Sequence, residues 1–138
     1  MSLVLDSSMT LAWYFEDEQT PAAMGVLRQV AATGAVVPSL WRLEVANGLQ
    51  VALKRKRITA AYRDVSLNDL GSLAISIDAE TDRHAWTATL RLSDRFGLTM
   101  YDAAYLELSG RLRLPLATLD AQLASAAGAS AIPLRGWA

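Results

Sequence analysis

At 138 residues the chain has the length of one domain, and with 52% of its residues apolar it can build a core without crosslinks. It has no cysteine, which excludes disulfides and thiolate metal sites and leaves oxygen donors, or the single His84, for any metal. The formal net charge of -1 is low for a nucleic-acid binder, so such a partner would need a local basic patch or bound cations that neutralise acids.

The opening Met-Ser-Leu-Val-Leu-Asp is too short and lacks the basic start of a signal peptide. No stretch approaches the roughly 18 continuous apolar residues of a membrane span. A cytoplasmic location with no membrane partner is the expectation. Residues 1–138 read as a single domain.

Leu3-Val4-Leu5 is a short apolar run ending at Asp6, the pattern of a strand buried on both faces. A helix is predicted from Asp6-Ser7-Ser8 to Phe15, broken by Glu16-Asp17-Glu18. Thr20-Pro21 restarts a helix, with Thr20 as N-cap and Pro21 at the first helical position, and Gly34 stops it. Ala35-Val36-Val37 is a second strand, closed by Pro38. Ser39 caps a long helix to about Arg57, and Thr59 caps another to about Leu70.

Ala74 to Ile77 reads as a third strand, followed by one helix from Glu80 to Phe96. Thr99 starts the next helix, which ends near Leu112. Leu116 to Leu119 is a fourth strand ending at Asp120. A short helix reaches Gly128, and Ala131-Ile132 begins a weak fifth strand limited by Pro133. Strands alternating with helices imply an α/β fold with a parallel sheet between helical layers. Ligands in such folds bind at the carboxyl ends of the strands, where Asp6 and Asp120 both fall.

Four acids stand at junctions of this kind: Asp6, Glu44, Asp102 and Asp120. Each has an ordinary local explanation. Asp6 and Asp120 suit N-caps, and Asp102 follows Thr99 in the spacing of a capping box. Glu44 lies in the mostly apolar Leu40 to Leu49 and would be exposed or paired with Arg42 or Arg55. Those explanations do not account for a shared location. Two carboxylates about 5 Å apart repel by roughly 3 kcal/mol at an effective dielectric near 20. A cluster of four would hold protons or bind a cation, and oxygen donors favour Mg2+ or Mn2+. The hydroxyls of Ser7, Ser8 and Thr118 lie beside the acids, suited to metal-bound water, to a phosphate, or to local turn bonds.

Other chemistries are poorly served. A serine triad would depend on His84, read as an exposed mid-helix residue, and no glycine-rich phosphate loop is present. Lys54-Arg55-Lys56-Arg57 ends the long helix. Cations are favoured there by the helix dipole, and they would also suit an RNA backbone. Trp13-Tyr14-Phe15 would occupy three consecutive helical positions, so at least one should be exposed or covered by a partner.

Val-Leu-Asp-Ser-Ser at 4–8, Leu-Glu-Val-Ala-Asn at 43–47, Tyr-Asp-Ala-Ala-Tyr-Leu at 101–106 and Ala-Thr-Leu-Asp at 117–120 resemble the motifs of the PIN domain. More closely, they are similar to those of VapC toxins of bacterial toxin–antitoxin pairs. The likeness runs over essentially the whole chain. It implies a five-stranded parallel sheet of order 3-2-1-4-5 and a Mg2+- or Mn2+-dependent endoribonuclease leaving 5′-phosphate and 3′-hydroxyl ends. It implies that Asp6, Glu44, Asp102 and Asp120 are the acidic quartet, with Ser7, Asn47 and Thr118 supporting. It further implies an RNA substrate, a homodimer, and a VapB-like antitoxin received near residues 13–15.

Three other readings stand beside this one. A phospho-acceptor receiver domain would need an acidic pair after the first strand and a late lysine, and neither is present. A nuclease of RNA maturation would share the site without the toxin role. A non-catalytic interaction domain would keep only the fold.

Overall fold

Five short strands form one parallel sheet in the order β3-β2-β1-β4-β5 in the computed structural model, which describes residues 2–137. The strands are β1 (Val4–Leu5), β2 (Ala35–Val37), β3 (Ile75–Ile77), β4 (Leu116–Ala117) and β5 (Leu134–Arg135). Val4 pairs with Val36 on one side and Leu116 on the other, so β1 is the central strand. Leu3, Val4 and Leu5 are all fully buried. Successive strand side chains point to opposite faces, so both faces of β1 are covered.

The helices are α1 (Ser7–Ala12), α2 (Pro21–Thr33), α3 (Trp41–Lys54), α4 (Ala60–Gly71), α5 (Thr81–His84), α6 (Leu90–Phe96), α7 (Met100–Leu112) and α8 (Ala121–Ala129). Thr20, Thr59 and Thr99 each accept a backbone N–H in the first turn of α2, α4 and α7, as their sequence positions predict. Gly34 ends α2 at φ 79°, and a Cβ there would stand 2.7 Å from the Ala74 carbonyl oxygen. Only glycine fits where the chain turns from α2 into β2 against the start of β3. A Cβ at Gly48 would run into the Leu11 side chain, so this glycine lets α3 lie close against α1. That approach brings the helix carrying Glu44 beside the helix that follows Asp6.

Several boundaries differ from the sequence expectation. The first helix ends at Ala12 rather than Phe15, and Phe15 is extended at φ -113°, ψ 110°. Freed from helical periodicity, Trp13 and Phe15 both enter the core, while Tyr14 is half-buried and donates its hydroxyl to Asp69. Glu16–Glu18 form a short 3-10 turn instead of a plain break. The long helix starts after Leu40, without a side-chain cap from Ser39, and ends at Lys54.

The single helix expected from Glu80 to Phe96 is α5, a π-helical stretch at Ala85–Thr89, and α6. The Thr87 hydroxyl bonds to the His84 carbonyl there, which competes with the regular backbone ladder. His84 is half-buried rather than exposed. The fourth strand stops at Ala117. The fifth lies at Leu134–Arg135, not at Ala131-Ile132. Ala131 adopts φ 57° and the Ile132 N–H returns to the Ala127 carbonyl, so these residues close α8. Pro133 then precedes the strand instead of limiting it, and its carbonyl accepts from the Leu116 N–H.

Candidate active site

The carboxyl ends of β1 and β4 are joined by a compact set of hydrogen bonds. Asp6 follows β1, is 3% exposed, and caps α1 through the Met9 N–H at 2.9 Å. The Ser8 hydroxyl reaches both of its carboxylate oxygens, at 2.8 and 2.9 Å. Thr118, fully buried just after β4, donates to Asp6 Oδ2. Thr118 Oγ1 in turn accepts the Asp120 N–H, and Ser8 Oγ accepts the Leu119 N–H, both at 3.0 Å. Asp120 caps α8 by accepting the Leu123 N–H at 2.8 Å. Capping of both helices therefore coexists with the convergence of Asp6 and Asp120 on adjacent strand ends.

Asp102 and Glu44 approach from helix N-termini. Asp102 lies in the first turn of α7, where its N–H donates to Thr99 Oγ1 at 3.1 Å. Glu44 lies in the first turn of α3. Its partner is Tyr105, whose hydroxyl donates to Glu44 Oε1 at 2.6 Å, so Glu44 is neither fully exposed nor paired with Arg42 or Arg55, the two local explanations open in the sequence.

The carboxyls perturb one another. Burial pushes Asp102 up to about 6, and the charges of Asp120 and Glu44 add to the rise. Burial likewise pushes Asp6 up to about 6, against the bonds from Thr118, the Met9 N–H and Ser8, with the Asp102 charge adding. All four acids thus share one electrostatic neighbourhood. Among the described residues no three carboxylates or imidazoles close in tightly enough to enclose a metal ion.

The supporting residues divide. Thr118 is inside the hydrogen-bonded set, but Ser8 rather than Ser7 holds Asp6. The Ser7 hydroxyl acts instead on the Tyr105 phenol. Asn47 is exposed on α3. Tyr105 escaped the reading of the sequence. Its position three residues after Asp102 places it on the same helix face, which is the signal that points to it.

Lys54, the last residue of α3, and Arg55 and Lys56 just after it are exposed. Arg57 is engaged, pairing with Asp17 at 3.0 Å and Glu18 at 3.3 Å, with its guanidinium 4.6 Å from the Phe15 ring centroid. A cleft of about 620 Å3 lies here, lined in part by Tyr14, Phe15, Arg57, Ile58 and Tyr62.

A parallel sheet of this order with four acids at its carboxyl edge defines a class, and the chain belongs to the PIN domain family, whose model matches residues 3–129. It is similar to "Ribonuclease VapC3" of the archaeon Pyrobaculum aerophilum, with 28% identity over 124 residues, covering 90% of this chain and 93% of that protein. The likeness to VapC proteins therefore extends beyond bacteria. The fold is shared with the structure titled "Crystal structure of PAE2754 from Pyrobaculum aerophilum", at a TM-score of 0.66 and 23% identity over 91% of this chain and 87% of that one. No helix among the described residues is long and apolar enough to cross a membrane.

Proposed function

We propose that this chain is a metal-dependent endoribonuclease, the toxin of a type II toxin–antitoxin pair, acting in the cytoplasm. The observation that carries the reading is the convergence of acids at the carboxyl end of the sheet, where Thr118 bonds Asp6 and receives the Asp120 N–H and where the Asp102 charge acts on Asp6. Carboxyls so placed take up protons at moderate acidity, or a cation that replaces them.

The donor set suits Mg2+ or Mn2+. It is all oxygen, the donor chemistry that hard divalent cations take. Asp6, Asp102 and Asp120 would hold the principal ion, and Glu44 would serve a second ion or orient the attacking water. When bound, the ion supplies charge stabilisation and an acidified water. The protein's part is orientation. Ser8 and Thr118 fix the Asp6 carboxylate, while the caps at Thr99 and Asp120 set the directions of α7 and α8.

Lys54, Arg55 and Lys56 supply an exposed positive segment for RNA phosphates. The antitoxin, a VapB-like protein, is assigned to the cleft beside Tyr14 and Phe15, and the active form to a homodimer. The name of the VapC3 relative supports the ribonuclease assignment.

The test is cleavage of total RNA by purified, partner-free protein in Mn2+ or Mg2+ against EDTA, with Asp102→Asn in parallel. Discrete metal-dependent fragments with 5′-phosphate ends, lost in the variant, are expected. Equal cleavage by Asp102→Asn would remove the acids from the mechanism. Arrest of growth on induction, relieved by a co-expressed partner, separates a toxin from a nuclease of RNA maturation.

A further inference from the structure

Tyr105 is the largest fully buried side chain of the molecule, yet it carries a polar group into the crevice. Its ring packs in the core on α7, one turn beyond Asp102. Its hydroxyl makes a 2.6 Å bond to Glu44 Oε1 on α3. The Ser7 hydroxyl, next to Asp6, acts on the same phenol, and Asp6 lies within its electrostatic reach. One rigid ring on α7 therefore reaches, through its hydroxyl, the acid in the first turn of α3.

Glu44 has a flexible side chain at a half-buried position. Left to itself it would sample several rotamers at the mouth of the crevice. The aromatic ring of Tyr105 has only two side-chain torsions, both limited by the packing around it. A bond from such a group transfers that restriction to the carboxylate.

We propose that Tyr105 is a positioning residue for the acidic crevice, holding the Glu44 carboxylate in a single orientation through its hydroxyl, so that Glu44 would be pre-set to help hold a divalent cation. This rests on the assignment of Glu44 to a divalent-metal site. The phenol suits the task because its ring is held in the core while its hydroxyl reaches Glu44.

The test is Mn2+ binding, followed by calorimetry and by the electron paramagnetic resonance of the free ion, in wild type, Tyr105→Phe, Glu44→Gln and the double variant. Tyr105→Phe keeps the ring and removes one oxygen, and a thermal melt beside each titration reports on folding. Loss of such an outer partner is expected to weaken Mn2+ binding by about 10- to 100-fold. In the Glu44→Gln background the same substitution should change affinity by less than about twofold, because the group it positions is already gone. A merely structural tyrosine would lower the melting temperature equally in both backgrounds and leave that non-additivity absent. Wild-type affinity in folded Tyr105→Phe, alongside weakened binding by Glu44→Gln, would overturn the role of Tyr105 alone. No uptake of Mn2+ by wild type would overturn the metal reading, and this proposal with it.

Discussion

Thr118 donates its hydroxyl to Asp6 across 112 positions of sequence, and this one bond ties the carboxyl end of β4 to the carboxyl end of β1. It is buried on both sides, it opposes the rise in the Asp6 pKa, and Thr118 Oγ1 also receives the Asp120 N–H. One side chain thus links the two acids that follow adjacent strands.

Thr118→Val keeps the shape and removes the donor. Loss of a hydrogen bond to a charged group should cost about 2 kcal/mol at neutral pH. Since the bond lowers the Asp6 pKa, its loss moves that pKa upward from about 6. The midpoint of denaturant unfolding should fall, and the acid limb of the cleavage profile should move to higher pH. An unmoved acid limb would dissociate Asp6 from the step that limits the reaction.

The raised acids also predict a stability profile of unusual sign. Asp6 titrates at about 6 when folded and at 3.8 when unfolded, so between these values the folded protein holds more protons. Stability therefore falls as pH rises through about 4 to 6, by about 3 kcal/mol for Asp6. Asp102 adds in the same direction, more weakly because it is half-exposed. Asp78 behaves oppositely. Burial alone would raise its pKa, but bonds from Arg111, the Glu80 N–H and Thr81 hold it below 3.8, so its contribution is lost only as pH falls below that range. Melting temperatures in EDTA should drop between pH 4 and pH 7. Asp6→Asn should flatten most of that drop, and Mn2+ at neutral pH should reverse it in wild type.

Asp120 has two roles that substitution can separate. Asp120→Asn retains an oxygen to accept the Leu123 N–H and should melt within a degree or two of wild type while losing activity. Asp120→Ala should lose activity and about 1 kcal/mol of stability besides. Equal melting temperatures for the two variants would mean that α8 does not depend on its cap.

Arg111 offers a change that should touch stability and not the site. It bonds Glu107 at 2.8 Å and Asp78 at 2.6 Å, and both carboxylates are nearly buried. Arg111→Met would leave them without their cation, at a cost of about 3–5 kcal/mol. Urea unfolding should show the loss, while Mn2+ affinity of the protein that remains folded stays at the wild-type value.

Much of the site was legible in local pattern. Asp6 and Asp120 end apolar runs, and Thr99 stands three residues before Asp102, so each acid is announced by capping chemistry that needs only its neighbours. Helix starts at Thr20, Thr59 and Thr99 and the stop at Gly34 were legible for the same reason. The misplaced fifth strand and the uniform helix from Glu80 to Phe96 show where that logic ends. The turn at Ala131 is held by the Ile132 bond to Ala127, and the π-helical stretch depends on how its neighbours pack, neither of which composition displays.

The sequence by itself determined the strand and helix order, because strand runs and caps are short-range signals, and its motifs carried the resemblance to the PIN domain that singles out the four acids as candidates. Only the tertiary structure decided what each acid touches. Tyr105 rather than an arginine faces Glu44, Ser8 rather than Ser7 holds Asp6, and Arg57 turns to Asp17 and Glu18. The physical reason is the same in each case. A carboxylate takes whichever donor the packing of helices on the sheet brings within hydrogen-bonding distance, whether two residues away, as Ser8 is from Asp6, or far along the chain, as Tyr105 is from Glu44.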